Sequence, residues 1–342
     1  MKKLITAIAL IVAGVVIFFA LRVLVPVTYD ANAFSPHEGT KFWDLPTGSR
    51  IGYQFFAGDS SDSKEAIIYL HGGPGAGITK REMETFRKLA SHGYDVYLYD
   101  QVGCGSSGRL SNIAGYTAQR HIDDLFAIIK VIRKPRVILV GQSWGSILAT
   151  WFTALHPELV SSLVIAAPAP LQPTRKELAG TTPPDSLQLR GPSYEMSRQG
   201  QRVPSIRGKL GLYLARKMNF KLMSDEEADK LATWRTDELN LSMVCDSANA
   251  IRAEGTEGYY AHYLTSRSIA GIPDHRHLLR HLQTPVLVMK AQCDNQPWGF
   301  TAEYLDVFPQ SEFQLIPDAG HNAFIEQQDI YVESISGFLS RR

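Results

Sequence analysis

The sequence predicts an α/β fold: a mostly parallel central sheet flanked by helices, with an inserted helical cap and an N-terminal transmembrane helix. Three observations carry that expectation. From about Phe34 onward, short apolar runs alternate with helix-patterned stretches, which is the rhythm of βαβ units. The rhythm stops near Pro168 and resumes at "PVLVMKAQ", Pro285 to Gln292. The first residues form an apolar run of their own.

That first run, "MKKLITAIALIVAGVVIFFALRVLVPV", opens on two lysines and stays apolar from Leu4 to Leu21, close to the minimum for crossing a bilayer. Arg22 interrupts it, but an arginine near a helix end reaches the headgroups. Two readings compete over residues 1–33. "ANA" (Ala31 to Ala33) resembles a signal cleavage site, yet the run exceeds the usual signal core of about 7–15 residues. An uncleaved single-pass anchor is therefore the first expectation, with secretion after cleavage as the alternative. Lys2 and Lys3 favour an N-terminus left in the cytoplasm and an exported catalytic domain.

"KFWDLPTGSRIGYQFFAG" reads as a hairpin around Pro46-Thr47-Gly48. The strand "EAIIYL" follows, then a glycine-rich turn and the helix "EMETFRKLASHG". "YDVYLYD" is the next strand and Thr117 to Lys134 the next amphipathic helix. "RVILV" leads into the turn at Ser143, a helix to His156, and the strand "SSLVIAA". After the gap come "PVLVMKAQ", helix-like "TAEYLDVF", the strand "SEFQLIP" and a final helix. The resulting boundaries are 1–33 for the anchor or signal, 34–169 and 282–342 for the sheet-centred core, and 170–281 for the cap.

Composition is ordinary for a globular chain: 342 residues, 44% hydrophobic, 20% charged, net charge +1. A near-neutral chain gives no electrostatic case for nucleic acid as a partner. Cys104, Cys245 and Cys293 show no metal-ligand spacing, and an odd count cannot all pair. A disulfide framework is not expected; Cys104 and Cys293 are read as structural, unreactive thiols. Unpaired thiols in an exported domain are a mild argument against the placement outside the cytoplasm.

The chemistry starts at Gly141-Gln142-Ser143-Trp144-Gly145. A G-x-S-x-G turn between strand and helix lifts the serine Oγ above the sheet at a helix N-terminus, so Ser143 is the expected nucleophile. A nucleophilic serine needs a base, and the base an orienting carboxylate, in chain order Ser, acid, His. His156 sits before Pro157 at a helix end, and the histidines from 262 to 281 lie in the cap or its return. His321, on the loop after "SEFQLIP", stands at the carboxyl end of the sheet, where ligands bind in such folds. It is the expected base. "PAPLQP" offers no carboxylate, whereas Asp294 directly follows a strand; Asp318 is too near His321 and shapes that turn instead. Asp294 is the expected acid. Backbone N–H groups of Gly73, in "HGGPG", and of Trp144 are the expected oxyanion donors. His71 is read as a structural hydrogen-bonding residue.

Together "HGGPG", "YDQVGCGSSG" (Tyr99 to Gly108) and "GQSWGS" resemble the α/β-hydrolase superfamily, and within it the proline iminopeptidase family of serine peptidases. The similarity covers most of residues 40 to 165 and 283 to 330. Val102 and Gln142 depart from that family's arginine and glycine. The resemblance implies an α/β-hydrolase fold with a cap, no metal or organic cofactor, and an aminopeptidase that grips the substrate's free amine with cap carboxylates. "WRTDE" resembles one such segment and points to Glu238; "EGYYAHYL" resembles the other and points to Glu257. Asp237 stands where the family has a second tryptophan. The bland alternative makes both glutamates solvated cap charges. The same triad also suits a membrane-associated carboxylesterase or lipase, or a small-molecule amidase or carbon–carbon hydrolase. A non-catalytic binding protein on the same scaffold is the reading from another class. Expected partners are a peptide or small amide or ester substrate, and the membrane through the N-terminal helix.

Overall fold

The structure is a computed structural model that describes residues 2–58, 65–195 and 205–342. Helix α1 (Lys2–Leu24) comes first and has no buried residue. The sheet strands are β1 (Lys41–Asp44), β2 (Arg50–Phe56), β3 (Ala66–Leu70), β4 (Asp95–Tyr99), β5 (Val137–Gln142), β6 (Val160–Ala166), β7 (Val286–Ala291) and β8 (Ser311–Ile316). Their order is β1-β2-β4-β3-β5-β6-β7-β8. The β1–β2 hairpin and the β2–β4 pair are antiparallel. All other pairings are parallel.

Helices α2 (Lys80–Ala90), α3 (Ala118–Ile132) and α4 (Trp144–Leu155) connect the strands up to β6. Then α5 (Ile206–Met218), α6 (Asp225–Leu241), α7 (Tyr259–Ile269) and the short α8 (Arg276–Leu279) fill the gap between β6 and β7. Helices α9 (Trp298–Val307), α10 (Ala323–Glu326) and α11 (Gln328–Ser340) complete the chain. Because β6 and β7 are direct neighbours, with Leu163 opposite Val286, the insertion enters and leaves at one point of the sheet.

Strand alternation divides the core in two. Ile67, Tyr69, Ile138 and Val140 face α2 and α11, packing with Phe86, Tyr331 and Phe338. Ile68, Leu70, Val137 and Leu139 face α3, α4 and α9, packing with Leu125, Phe152 and Tyr304. Side chains two apart share a face, and each large apolar group so buried contributes about 1.5–3 kcal/mol. Local signals set the helix starts. Thr79 and Glu82 form a reciprocal capping box at α2. Thr117 caps α3 through the Arg120 N–H, and α3 ends on left-handed Arg133.

Two features lie outside the sequence expectations. Residues after α1 dock on the cap. The Val27 N–H donates to Glu227 Oε1 at 3.1 Å, Tyr29 is buried with its hydroxyl 3.1 Å from Ser205 Oγ, and Asn32 donates to the Ala253 carbonyl at 2.7 Å. The second feature is a correction: Cys293 is not a free thiol. It pairs with Cys245 across 48 residues, with Cα atoms 5.1 Å apart. The cause is local docking. The stretch after α6 is pulled against the sheet by the Asn322 N–H to Met243 carbonyl bond, 2.9 Å, which sets Cys245 beside the end of β7. Cys104 is unpaired and buried, and burial pushes its thiol well above the usual range.

Candidate active site

Ser143 sits at the β5–α4 junction with φ 54° and ψ −115°, a backbone region costing about 1–3 kcal/mol for a residue with a side chain. Its Oγ makes no capping bond to its own helix. The turn is tight enough to dictate its neighbours: a Cβ on Gly145 would stand 1.9 Å from the Leu70 carbonyl oxygen. Ser143 lines a cavity of about 1060 Å³ between sheet and cap, together with Gly73, Asp294, His321 and Glu257.

At the carboxyl end of β7 and β8, His321 Nδ1 lies 2.8 Å from Asp294 Oδ1, with both side chains buried. Donation from Nδ1–H to the carboxylate leaves Nε2 as the acceptor. The Gln296 N–H also donates to Oδ1 at 3.0 Å, and the Lys290 ammonium donates to Oδ2 at 3.1 Å. Burial alone would raise the Asp294 carboxyl. The charges of His321 and Lys290 and their hydrogen bonds outweigh it and hold the group down at about 2. Asp318 instead takes a positive φ of 47° and pairs with Arg190.

The glycine-rich loop after β3 turns toward Ser143. Gly73 has φ 111°, and a Cβ there would meet the Gly75 and Ala76 nitrogens at 2.7 Å. His71 behind it is fully buried, which lowers its pKa to about 4. Its Nδ1 donates to the Gly72 carbonyl at 2.8 Å, so the neutral ring accepts the Gln101 N–H on Nε2 at 3.0 Å. Gln101 continues the chain: its amide donates to the His71 carbonyl at 3.0 Å and accepts the Trp144 indole N–H at 2.8 Å. One glutamine thus ties the loop to the first residue of α4. Asp100 adds a second tie, accepting the Ile78 and Ser106 N–H groups at 2.7 Å each.

The cap residues separate. Glu257 is buried and lines the cavity; Thr233 Oγ1 donates to its Oε2 at 2.9 Å, and burial lifts its carboxyl to about 7. Glu238 is not among the residues lining the cavity, but its carboxylate accepts from the hydroxyl of Tyr194, which is, at 3.1 Å. Asp237 braces the cap, accepting the Ala253 N–H at 2.7 Å and pairing with Arg252 at 3.2 Å. Of the two departures from the family pattern, Val102 is buried away from the cavity. Gln142 lines the cavity and donates to the His321 carbonyl at 2.8 Å. His156 closes α4, its ring between Phe126 and Phe152. His262 also reaches the cavity, its Nδ1 2.9 Å from the Pro74 carbonyl oxygen. Among the described residues, no group of three or more His, Cys, Asp or Glu side chains is arranged to hold a metal ion.

Sequence reasoning passed over Lys290 and Gln101. The signal for Lys290 was present: a lone lysine in the apolar run "PVLVMKAQ", four residues before Asp294. A buried lysine needs a carboxylate partner, and Asp294 is that partner.

The family described as alpha/beta hydrolase fold matches residues 65–328. The chain belongs to that family. Among its α/β-hydrolase relatives, a proline iminopeptidase of Clostridioides difficile (strain 630) is 24% identical over 303 residues, covering 84% of this chain and 94% of the relative. The proline iminopeptidase structure from Mycobacterium smegmatis superposes with a TM-score of 0.58 at 20% identity, over 89% of this chain and 98% of that one. An esterase from Exiguobacterium antarcticum matches at a TM-score of 0.61 and 15% identity, over 88% of this chain and 99% of that one. At those identities the structural likeness concerns the fold.

Proposed function

We propose that this α/β hydrolase is a serine hydrolase acting as an aminopeptidase, releasing an N-terminal residue from peptides or aminoacyl amides. Ser143 Oγ attacks the carbonyl carbon as His321 Nε2 takes its proton, with Asp294 fixing the imidazole tautomer. The Gly73 and Trp144 N–H groups receive the oxyanion. His321 returns the proton to the leaving amine, and water then releases the acyl group from Ser143 by the same steps.

The observation that carries the aminopeptidase reading is Glu257, a buried carboxyl on the wall of the cavity that Ser143 lines. A desolvated ammonium needs such a partner. Glu238 supports the same wall through Tyr194. With its carboxyl lifted to about 7, Glu257 is neutral below that pH and anionic above it. Binding of free-amine substrates should therefore strengthen as pH rises through about 7. The test compares aminoacyl anilides with N-blocked versions and short acyl esters. A free-amine preference that disappears in Glu257→Gln, with ester hydrolysis retained, is the expected result. Equal turnover of blocked substrates would replace this reading with an esterase or amidase.

The proposal also keeps α1 as an uncleaved anchor, with the catalytic domain on the non-cytoplasmic side. α1 is long and apolar enough to cross a membrane. Cleavage after Ala33 would strip away Val27, Tyr29 and Asn32, which dock on the cap. The Cys245–Cys293 disulfide suits an oxidising compartment and leaves one unpaired thiol, the buried Cys104.

A further inference from the structure

Helix α5 presents a surface that the reaction does not use. Its sequence, IRGKLGLYLARKM, contains four basic residues and no acidic one. Arg207, Gly208, Gly211 and Ala215 form its buried side. Opposite them, at 100° per residue, Ile206, Lys209, Tyr213, Arg216 and Lys217 fall within an arc of about 100°, and all five are exposed. On that face the apolar groups Ile206 and Tyr213 are 41% and 58% exposed; off it, at the helix end, Met218 and Phe220 are 67% and 53% exposed. Large apolar groups interleaved with cations on one face are the pattern of a helix lying in a membrane interface, where aromatic rings and snorkelling basic chains both settle at headgroup level.

The position of α5 says which surface this is. α1 packs against α5, and the Arg207 guanidinium donates to the Val23 carbonyl at the last turn of α1 while forming a bidentate pair with Glu227. A helix of 23 residues rises about 34 Å, slightly more than the hydrocarbon thickness of about 30 Å. The Leu24 end therefore emerges among the headgroups, and α5 is fastened to that end. Charge agrees. The acidic residues at the start of α6 are already engaged: Asp225 with Lys221, Glu226 with Lys230, Glu227 with Arg207. Arg216 lies over the Tyr263 ring. Lys209 and Lys217 have no carboxylate partner among the described residues.

We infer that α5 rests on the surface of the bilayer that α1 spans, its exposed face binding anionic phospholipid headgroups. This rests on the anchor reading of α1. The basic side chains attract the anionic headgroups, and the apolar groups enter the acyl boundary. The cap then faces the lipid, and Tyr263, which Arg216 overlies, is part of the cavity wall.

The test uses full-length protein in phosphatidylcholine vesicles with and without phosphatidylglycerol. An environment-sensitive dye is attached at Tyr213→Cys or Lys217→Cys, with Val12→Cys in α1 as the control; Cys104 is buried and the other two cysteines are paired. The expected result is a blue shift and strong quenching of both α5 dyes by headgroup-level spin labels, greater with phosphatidylglycerol. The dependence on phosphatidylglycerol should be lost in Lys209→Glu. Val12 lies at mid-span of α1, so its dye is read with deep acyl-chain spin labels. A water-like, unquenched α5 dye beside a Val12 dye quenched by those deep labels overturns the inference while leaving the anchor intact. A blue shift of the α5 dyes without lipid quenching means a protein contact, such as a second copy, and overturns it too. A Val12 dye unquenched by the deep labels removes the anchor and the inference together.

Discussion

Around Ser143 the chain is held by steric closeness and short backbone-directed bonds; around Asp294 and His321 it is held by charge and a covalent link. On the first side, Gly145 lies against the Leu70 carbonyl and Gln101 joins Trp144 to His71. On the second, Lys290 anchors Asp294, and a disulfide ties the residue before Asp294 to the cap. Glu326 accepts the Cys245 and Gly320 N–H groups at 2.6 and 2.8 Å. The two sides should therefore respond differently: the Ser143 side to added volume, the Asp294–His321 side to pH and to reductant.

Ser143→Ala gives the largest effect and leaves both supports intact. Hydrolysis should fall by a factor on the order of 10⁴ or more, with Tm and circular dichroism unchanged. Retained turnover would remove Ser143 from the mechanism. Lys290→Met attacks only the charge-held side. A hydrogen bond between charged groups contributes about 1.5–3 kcal/mol, so kcat/KM should drop roughly 10- to 100-fold. The sign with pH is fixed. Asp294 is held down at about 2 partly by Lys290, so losing the cation raises its carboxyl and brings the acid-side loss of activity to higher pH. An unchanged pH profile would show that Lys290 is only packing.

Reduction of the disulfide, or the Cys245→Ser/Cys293→Ser pair, should cost about 2–4 kcal/mol of stability, read as a lower Tm. If Tm and activity both ignore reductant, the covalent half of the contrast disappears. Gln142→Met is the mildest change. It removes one neutral bond to the His321 carbonyl, worth about 1 kcal/mol, and a few-fold loss in kcat is expected with little change in stability. That measurement separates a residue steadying His321 from one that selects substrate, which would move KM between substrates.

Much of this was legible in sequence because its signals are local. The five consecutive buried residues of β3 are a continuous apolar run in the chain, and the glycine spacing around Ser143 states its own turn. The placement of Ser143, Asp294 and His321 at the carboxyl end of the sheet could be read because each follows a strand. The Cys245–Cys293 pair could not, since the docking of Met243 on Asn322 and of Cys245 on Glu326 brings the two together. Glu238 and Glu257 looked alike in sequence, each a cap carboxylate marked only by a segment that resembles the family's. Burial separated them, and burial in the cap depends on distant partners such as Thr233 and Tyr194. The docking of Tyr29 likewise depends on Ser205, 176 positions away.

The segment after α1 has a mechanical consequence. It is pinned at Val27, Tyr29 and Asn32, and again at His37, whose Nε2 donates to the Ile78 carbonyl at 2.9 Å. A catalytic domain on a slack tether would tumble and meet substrate from every direction. If α1 spans a bilayer as proposed, this pinned domain would keep a fixed attitude, with its cavity mouth at a constant height above the lipid. Capture would then be a search in two dimensions for any substrate that is itself confined to the membrane.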